Sequence, residues 1–383
     1  DAAEPTALAR LHLLAGEPDL ARAPARQAAL RALSAGRYAE ARRWLFLLDA
    51  LPSGRGSLSD GHDAFELAVA KARVALVTEA EEPRDLLVEG VERVAESPTE
   101  RASATLLRAA YQLRQGHVRP ALAEALRTAS PSRAPTPELA VEALVLATRC
   151  RLRLHQPEDA RAQLTRAEAL LAAAAPGHLT HEVALLRTEV LLRDQQLDAA
   201  GAQAEALTQG ARARGHLHDE ARAGLLLARV LRLAGRRARA EGLARQARTA
   251  AGTTGDLALA AEASLVLAAL LVERGDAAGA VPLLDTTIRQ LRSLKLDHRM
   301  PMALRLILEV ALAQGDPHAA DVALATFRTR PSADPEAPAT LVRWWRTRGD
   351  LQTALDVPAP TSPGGQRDEW AHLLWSIERA RVH

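Results

Sequence analysis

Lysine is nearly absent from this 383-residue chain: Lys71 and Lys295 are the only two, and arginine is the working cation. Cysteine occurs once, as Cys150, so no intrachain disulfide can form. That suits a reducing compartment, and a cytoplasmic location is the expectation. Aromatic residues make up 3% of the chain, and β-branched residues never run in alternation. A sheet built from half-buried strands is thereby excluded. No apolar run approaches the roughly 18 residues of a membrane-spanning helix, and no signal-peptide pattern appears. Charge of one sign is not in excess either: 49 basic residues face 47 acidic ones, for a net charge of +2. Bulk charge therefore gives no argument for nucleic acid. What the chain has in abundance is Ala, Leu, Arg and Glu, the residues that lose least on entering a helix. The composition points to an all-α protein.

Eight short polar turns punctuate the apolar segments. Six carry a glycine, at Gly36, Gly116, Gly235, Gly275, Gly315 and Gly349; His155 and Gln195 stand in its place in the other two. At a fixed distance after each lies an alanine: Ala41, Ala121, Ala160, Ala200, Ala240, Ala280, Ala320 and Ala354. From Ala121 through Ala160, Ala200, Ala240 and Ala280 to Ala320 the step is constant to within one position. The stretch between Ala41 and Ala121 is two such steps long, with a degenerate turn expected near Glu81-Glu82-Pro83. About nine helical hairpins follow from this count. Glycine after an apolar-periodic segment reaches the left-handed conformation that ends a helix. The alanine lets two antiparallel helices cross closely. Leu225, Leu226, Ala228, Leu231 and Leu233 before one turn, and Ala240, Leu243, Ala244 and Ala247 after it, keep helical spacing. No hairpin buries such a stripe alone; stacking neighbours do.

The glycine turn, the alanine that follows it and the small residue seven before the turn (Ala29, Ala109, Ala228, Ala268) resemble the tetratricopeptide repeat. The usual repeat is about 34 residues; here it is about 40, with longer helices. The chain therefore looks most like the sensor region of bacterial STAND-type (maltose-activator) and SARP-type transcriptional regulators. The resemblance implies a right-handed α-solenoid over residues 1–356, with a loop inserted at 51–63. A Pro/Gly-rich linker at 357–366 and a C-terminal capping helix at 367–383 complete the expected organisation. The start at Asp1 suggests a piece of a longer regulator. Four of the five tryptophans, Trp344, Trp345, Trp370 and Trp375, fall close to the C-terminal end. They seal the final hairpin, or they form with Arg343 and Arg346 a docking end for a partner.

No chemistry is legible. Ser53-Gly54-Arg55-Gly56-Ser57 lacks the strand before it and the Gly-Lys-Ser/Thr after it that a phosphate loop needs. The pairs His178/His181 and His216/His218 lack metal-site spacing and read as solvated histidines at hairpin junctions. Cys150 reads as an inert core thiol. Neither a metal nor a cofactor is expected, and no enzyme activity.

The resemblance implies that the first helix of each hairpin lines the concave face. Registering each on its turn places Glu142 and Arg149, Glu182 and Glu189, Arg222, Arg229 and Arg232, Glu262, Arg305 and Glu309, and Arg343 and Arg346 inward. Residues 211–250 hold ten arginines against Asp219, Glu220 and Glu241, a local excess of seven positive charges. Guanidinium groups bind carboxylate or phosphate bidentately. The expected ligand is a protein, a peptide or a small anionic effector held in this groove. A solvated arginine face balanced by Glu182, Glu189 and Glu262 is the plainer alternative. A free-standing adaptor and, less favoured, an arginine-driven nucleic-acid binder are the rival functions. The Lys and Asn of chaperone-type carboxylate clamps are missing from these positions, so a chaperone partner is not implied.

Overall fold

The computed structural model describes residues 4–51, 61–78, 84–130, 135–172, 178–328, 337–358 and 369–382, and among these every regular element is a helix. After α1 (Pro5–Leu14) come nine hairpins: α2 (Pro18–Ser34) with α3 (Tyr38–Ala50), α4 (Gly61–Val77) with α5 (Arg84–Val94), and α6 (Pro98–Arg114) with α7 (Val118–Thr128). Next are α8 (Pro137–Arg153) with α9 (Pro157–Ala172), α10 (His178–Arg193) with α11 (Leu197–Ala213), and α12 (Leu217–Leu233) with α13 (Arg237–Thr254). The last three are α14 (Leu257–Glu273) with α15 (Ala277–Ser293), α16 (Met300–Gln314) with α17 (Pro317–Arg328), and α18 (Ala337–Thr347) with α19 (Leu351–Asp356). A closing helix, α20 (Glu369–Ala380), packs on α18. The expected loop at 51–63 is shorter than the sequence suggests, because α4 already begins at Gly61. Its centre, the turn at 81–83 and most of the linker at 357–366 lie outside the described residues.

The all-α solenoid of tetratricopeptide-like hairpins is thus the fold, but its period is finer than the sequence pattern indicates. Residues with positive φ occur at Gln195, Gly215, Gly235, Gly255, Gly275, Lys295 and Gly315, evenly spaced at half the hairpin repeat. The turn inside a hairpin and the turn between hairpins are therefore the same device. In each, the amide after the left-handed residue reaches back into the last turn of the helix, as Arg236 N donates to Leu231 O at 2.8 Å and Leu296 N to Leu291 O at 2.8 Å. This is the Schellman closure of a helix end. The next helix begins at once, often behind an aspartate cap: Asp256, Asp276 and Asp350 each accept from the backbone amide three positions on.

All eight turn alanines have no exposed surface. A side chain there sits where two helix backbones cross, so anything larger than a methyl must push them apart. Where His155 and Gln195 replace glycine in the turn within a hairpin, the position seven before is a fully buried threonine, Thr148 or Thr188, whose hydroxyl donates to the carbonyl four positions back. Apolar side chains fill the space between hairpins continuously. The largest cluster runs from Ala204 to Val310 and centres on α14, where Leu265, Leu267 and Leu270 are all buried.

The tryptophan-rich end is a seal. Trp344 packs with Leu308 and Leu324, and Trp375 of α20 packs with Val342, Ala354 and Val357. Trp375 Nε1 donates to the Val357 carbonyl at 3.1 Å. Arg343 and Arg346 both pair with the buried Glu378 of α20. The alternative of a docking end at Trp344, Arg343 and Arg346 is therefore corrected, since these side chains fasten the capping helix. Trp345 is partly buried against the same clusters, and the Trp370 side chain lies outside the described residues.

The turns yield a direct test. A left-handed non-glycine residue is strained by roughly 1–2 kcal/mol, part of which glycine gives back in chain entropy. Gln195→Gly should raise stability by roughly 0.5–1 kcal/mol in urea unfolding, and Gly235→Ala should lower it by about as much. Gly235 has nothing within 4 Å of an added Cβ, so a loss there reports backbone conformation alone.

Candidate functional site

Each even-numbered helix from α2 to α18 packs on the next even-numbered one, so the first helices of the hairpins form the inner wall, as the fold resemblance implies. Their polar residues meet across the seams. Glu182 of α10 lies between Arg149 of α8 and Arg222 of α12, and accepts from Arg222 Nη2 at 3.0 Å. Glu189, two turns further along α10, faces Arg229 at 3.8 Å and Arg193 at 3.9 Å. Glu262 of α14 pairs with Arg299, which immediately precedes α16. Two of these pairs, Glu182–Arg222 and Glu189–Arg229, join equivalent positions of successive hairpins. Burial alone would raise both Glu182 and Glu189, but the surrounding guanidiniums outweigh it and hold both carboxylates below their ordinary range.

Six of the expected groove residues thus converge: Arg149, Glu182, Glu189, Arg222, Arg229 and Glu262. Their side chains keep between 21% and 37% of their surface, so solvent reaches them. The other expected residues do not join. Arg232 turns to Glu273 at the end of α14, at 2.6 Å. Arg305 is buried and bonds Glu309 within α16, and Glu309 also accepts from Thr340. Glu142 faces Arg73 of α4 at 3.2 Å. The ten-arginine segment is therefore not one ligand patch, because its members fan out to different neighbours.

Beside Arg193, three further arginines that the repeat register alone does not pick out add to the interior. Arg153 ends α8, and its Nη1 donates to the Leu113 carbonyl at 2.5 Å, beside Arg114 at the end of α6. Arg299 approaches from the start of α16. Burial, and then Arg299, lower the Arg153 guanidinium to about 10. Seven arginines (114, 149, 153, 193, 222, 229 and 299) thus share this interior with Glu182, Glu189 and Glu262.

The superhelix also closes on itself. The turn of the first hairpin rests against the sixth: Tyr38 meets the His218 ring edge-on at 4.9 Å. An added Cβ at Gly36 would lie 2.5 Å from His218 Cβ, and one at Gly255 would lie 2.9 Å from the Ala39 amide nitrogen. Only glycine allows this approach. His218 Nε2 donates to Asp256 Oδ2 at 3.0 Å, while Asp256 Oδ1 caps α14. The expectation of solvated histidines fails here: His218 is 6% exposed, and His181 packs beside Asp219. Burial pushes the Tyr38 phenol up to about 12. The His178 side chain lies outside the described residues.

Elsewhere, Cys150 is fully buried and its thiol is pushed up to about 12 by desolvation, so the thiolate nucleophile is suppressed. A cleft of about 970 Å³ lies between α9 and α10, walled by Arg161, Arg187 and Arg193 against Glu158, Glu168 and Asp194. Its charges balance one another. No helix is long and apolar enough to cross a membrane among the described residues.

Known proteins share the fold. A Rap protein complexed with competence and sporulation factor matches with a TM-score of 0.63 at 12% identity, over 94% of this chain and 99% of that one. The Rap conjugation gene regulator of plasmid pLS20, in complex with the Phr* peptide, matches with a TM-score of 0.55 at 12% identity, over 91% of this chain and 96% of that one. No family model and no curated protein sequence matches the chain. At this identity the likeness is one of fold.

The closure predicts a pH dependence. Burial alone would lower His218, but the carboxylates of Asp219, at 3.7 Å, and Asp256, hydrogen-bonded at 3.0 Å, prevail and raise it above 6.5. Its contribution to stability is then full below 6.5 and is lost as pH rises through the folded value. The melting-temperature gap between the native chain and His218→Gln should be widest at about pH 5.5 and shrink toward about pH 8.5. A gap that widens with pH contradicts this assignment.

Proposed function

We propose that the chain is a binding module that takes an anionic peptide or protein segment inside its superhelix. The carrying observation is the interior itself, where seven arginines from four inner helices and the start of a fifth face three glutamates. The partial exposure of those side chains gives a ligand access. An extended peptide suits such a wall, because each residue added meets the next hairpin. The fold likeness to Rap proteins described with a bound factor and with a bound peptide supports the reading.

We read the chain as a binder with no catalytic step. Among the described residues no group of three or more His, Cys, Asp or Glu side chains is placed to hold a metal ion. The larger context we propose is a bacterial regulatory protein, in which ligand occupancy in the solenoid is passed to a partner or to an attached domain. The long hairpin period, which resembles that of STAND- and SARP-type sensor regions, supports this.

The test is capture of acidic peptides. The tagged native chain and a variant carrying Arg222→Gln and Arg229→Gln would be equilibrated with a random peptide pool, and the retained peptides sequenced by mass spectrometry. Both chains should melt within a few degrees of each other, because part-exposed ion pairs contribute only about 0–1 kcal/mol each. The native chain should enrich Asp- and Glu-containing peptides, and the variant should lose them. Equal retention by both chains, or enrichment of basic peptides, overturns the proposal.

A further inference from the structure

Two cavities among the described residues differ in how their walls are charged. In the cleft between α9 and α10, arginines meet carboxylates of the same wall: Arg161 bonds Asp194 at 2.6 Å, and Arg187 bonds Glu168 at 3.2 Å. A second cavity, of about 430 Å³, lies between α6 and α7. Arg101, Thr105 and Arg108 of α6 wall it on one side, and Arg127 and Thr128 of α7 on the other. Among the described residues no carboxylate stands on this wall. The spacing i, i+4, i+7 puts Arg101, Thr105 and Arg108 on one face of α6. Arg108 is fastened there, bonding Glu92 of α5 at 2.7 Å and Glu124 of α7 at 3.1 Å. The cavity therefore lies on the side of α6 turned to the second helices, apart from the charged interior. Glu92 and Glu124 offset Arg108 from behind the wall, and Glu124 reaches Arg127 only at 3.8 Å. Glu100, next to Arg101 in the chain, turns instead to the backbone amides of Glu96 and Ser97 and to His62. The exposed Arg101 guanidinium has no partner among the described residues.

We propose that this cavity is a binding site for a small phosphomonoester, whose phosphoryl group is held by Arg101, Arg108 and Arg127. The proposal does not rest on peptide capture in the interior. A phosphoryl group presents three oxygens to guanidinium forks that approach from two helices, whereas a carboxylate presents two in one plane. Arg108, locked between its carboxylates, supplies a fixed wall, and Arg101 and Arg127 keep donors open for the ligand. The remaining space suits an organic body. Pro98 and Ala102 give it an apolar surface. The hydroxyls of Thr105 and Thr128 donate to the carbonyls of Arg101, at 2.8 Å, and Glu124, at 3.0 Å. Their oxygens are left to accept from a hydroxyl of the ligand.

The test uses the full chain and a double variant, Arg101→Gln with Arg127→Gln, in thermal melting and calorimetric titration at constant ionic strength. Neither side chain fastens one helix to another, so the two proteins should melt together without ligand. Glycerol phosphate and ribose phosphate should raise the melting temperature of the native chain, and glycerol and ribose should not. The variant should bind both esters roughly ten- to a hundredfold more weakly, the worth of one or two charge-assisted bonds. Arg101→Gln alone, at a residue with no partner to lose, should keep the native melting temperature and still weaken the esters roughly tenfold. Inorganic phosphate that binds as tightly as the esters overturns the ester reading. A phosphoserine peptide that binds more tightly than either ester places the phosphoryl group on a protein partner and overturns the small-molecule reading. An identical response of the native chain and both variants to the esters overturns the site itself.

Discussion

A left-handed residue at the turn between helices governs the middle of this structure. Between Gln195 and Gly315 the backbone takes positive φ seven times at an even interval. Each occurrence ends a helix, closes its last carbonyls and turns the chain back on itself. Near-equal helix lengths and equal turns stack the hairpins in register. That register brings Glu182 opposite Arg222 and Glu189 opposite Arg229, one repeat later in the chain. The turns fix the geometry, the buried alanines fix the helix spacing, and the apolar stripes contribute the bulk of the stabilisation through burial.

Charge inside the superhelix then follows from repetition. A glutamate in one hairpin can neutralise arginines of both neighbours, as Glu182 does. Where hairpin four faces the start of hairpin eight, burial and the neighbouring Arg299 lower the Arg153 guanidinium. The pairing across seams is thus a better guide to the interior than the arginine count of any single helix.

Much of the fold is legible in the residues. The spacing of Ala121 to Ala320 yields the hairpins, and Gly235 with Ala240 yields the turn chemistry, because both are local demands of a helix end and a close crossing. The half-period is harder to see, since Lys295 hides one left-handed position. Six residues that the register singles out, Arg149, Glu182, Glu189, Arg222, Arg229 and Glu262, take part in ion pairs on the inner wall. The register misplaces Arg232, which lies three positions beyond Arg229, about 60° around the helix, and finds Glu273 instead. Arg153 and Arg299 escape it because they sit at helix ends, where a register counted along the helix face stops being informative. The contact of Tyr38 with His218 depends on the small rotation from each hairpin to the next, summed over five of them, and no local pattern encodes that sum.

That the superhelix closes on itself, walling in its charged interior, is the claim on which the rest stands. It is tested by a double-mutant cycle on Tyr38→Leu and His218→Gln, whose rings meet edge-on at 4.9 Å. A ring contact of this kind is worth about 0.5–1.5 kcal/mol beyond area burial, so the two substitutions should couple by about that much in urea unfolding. Losses that simply add would show an open spiral and contradict the account.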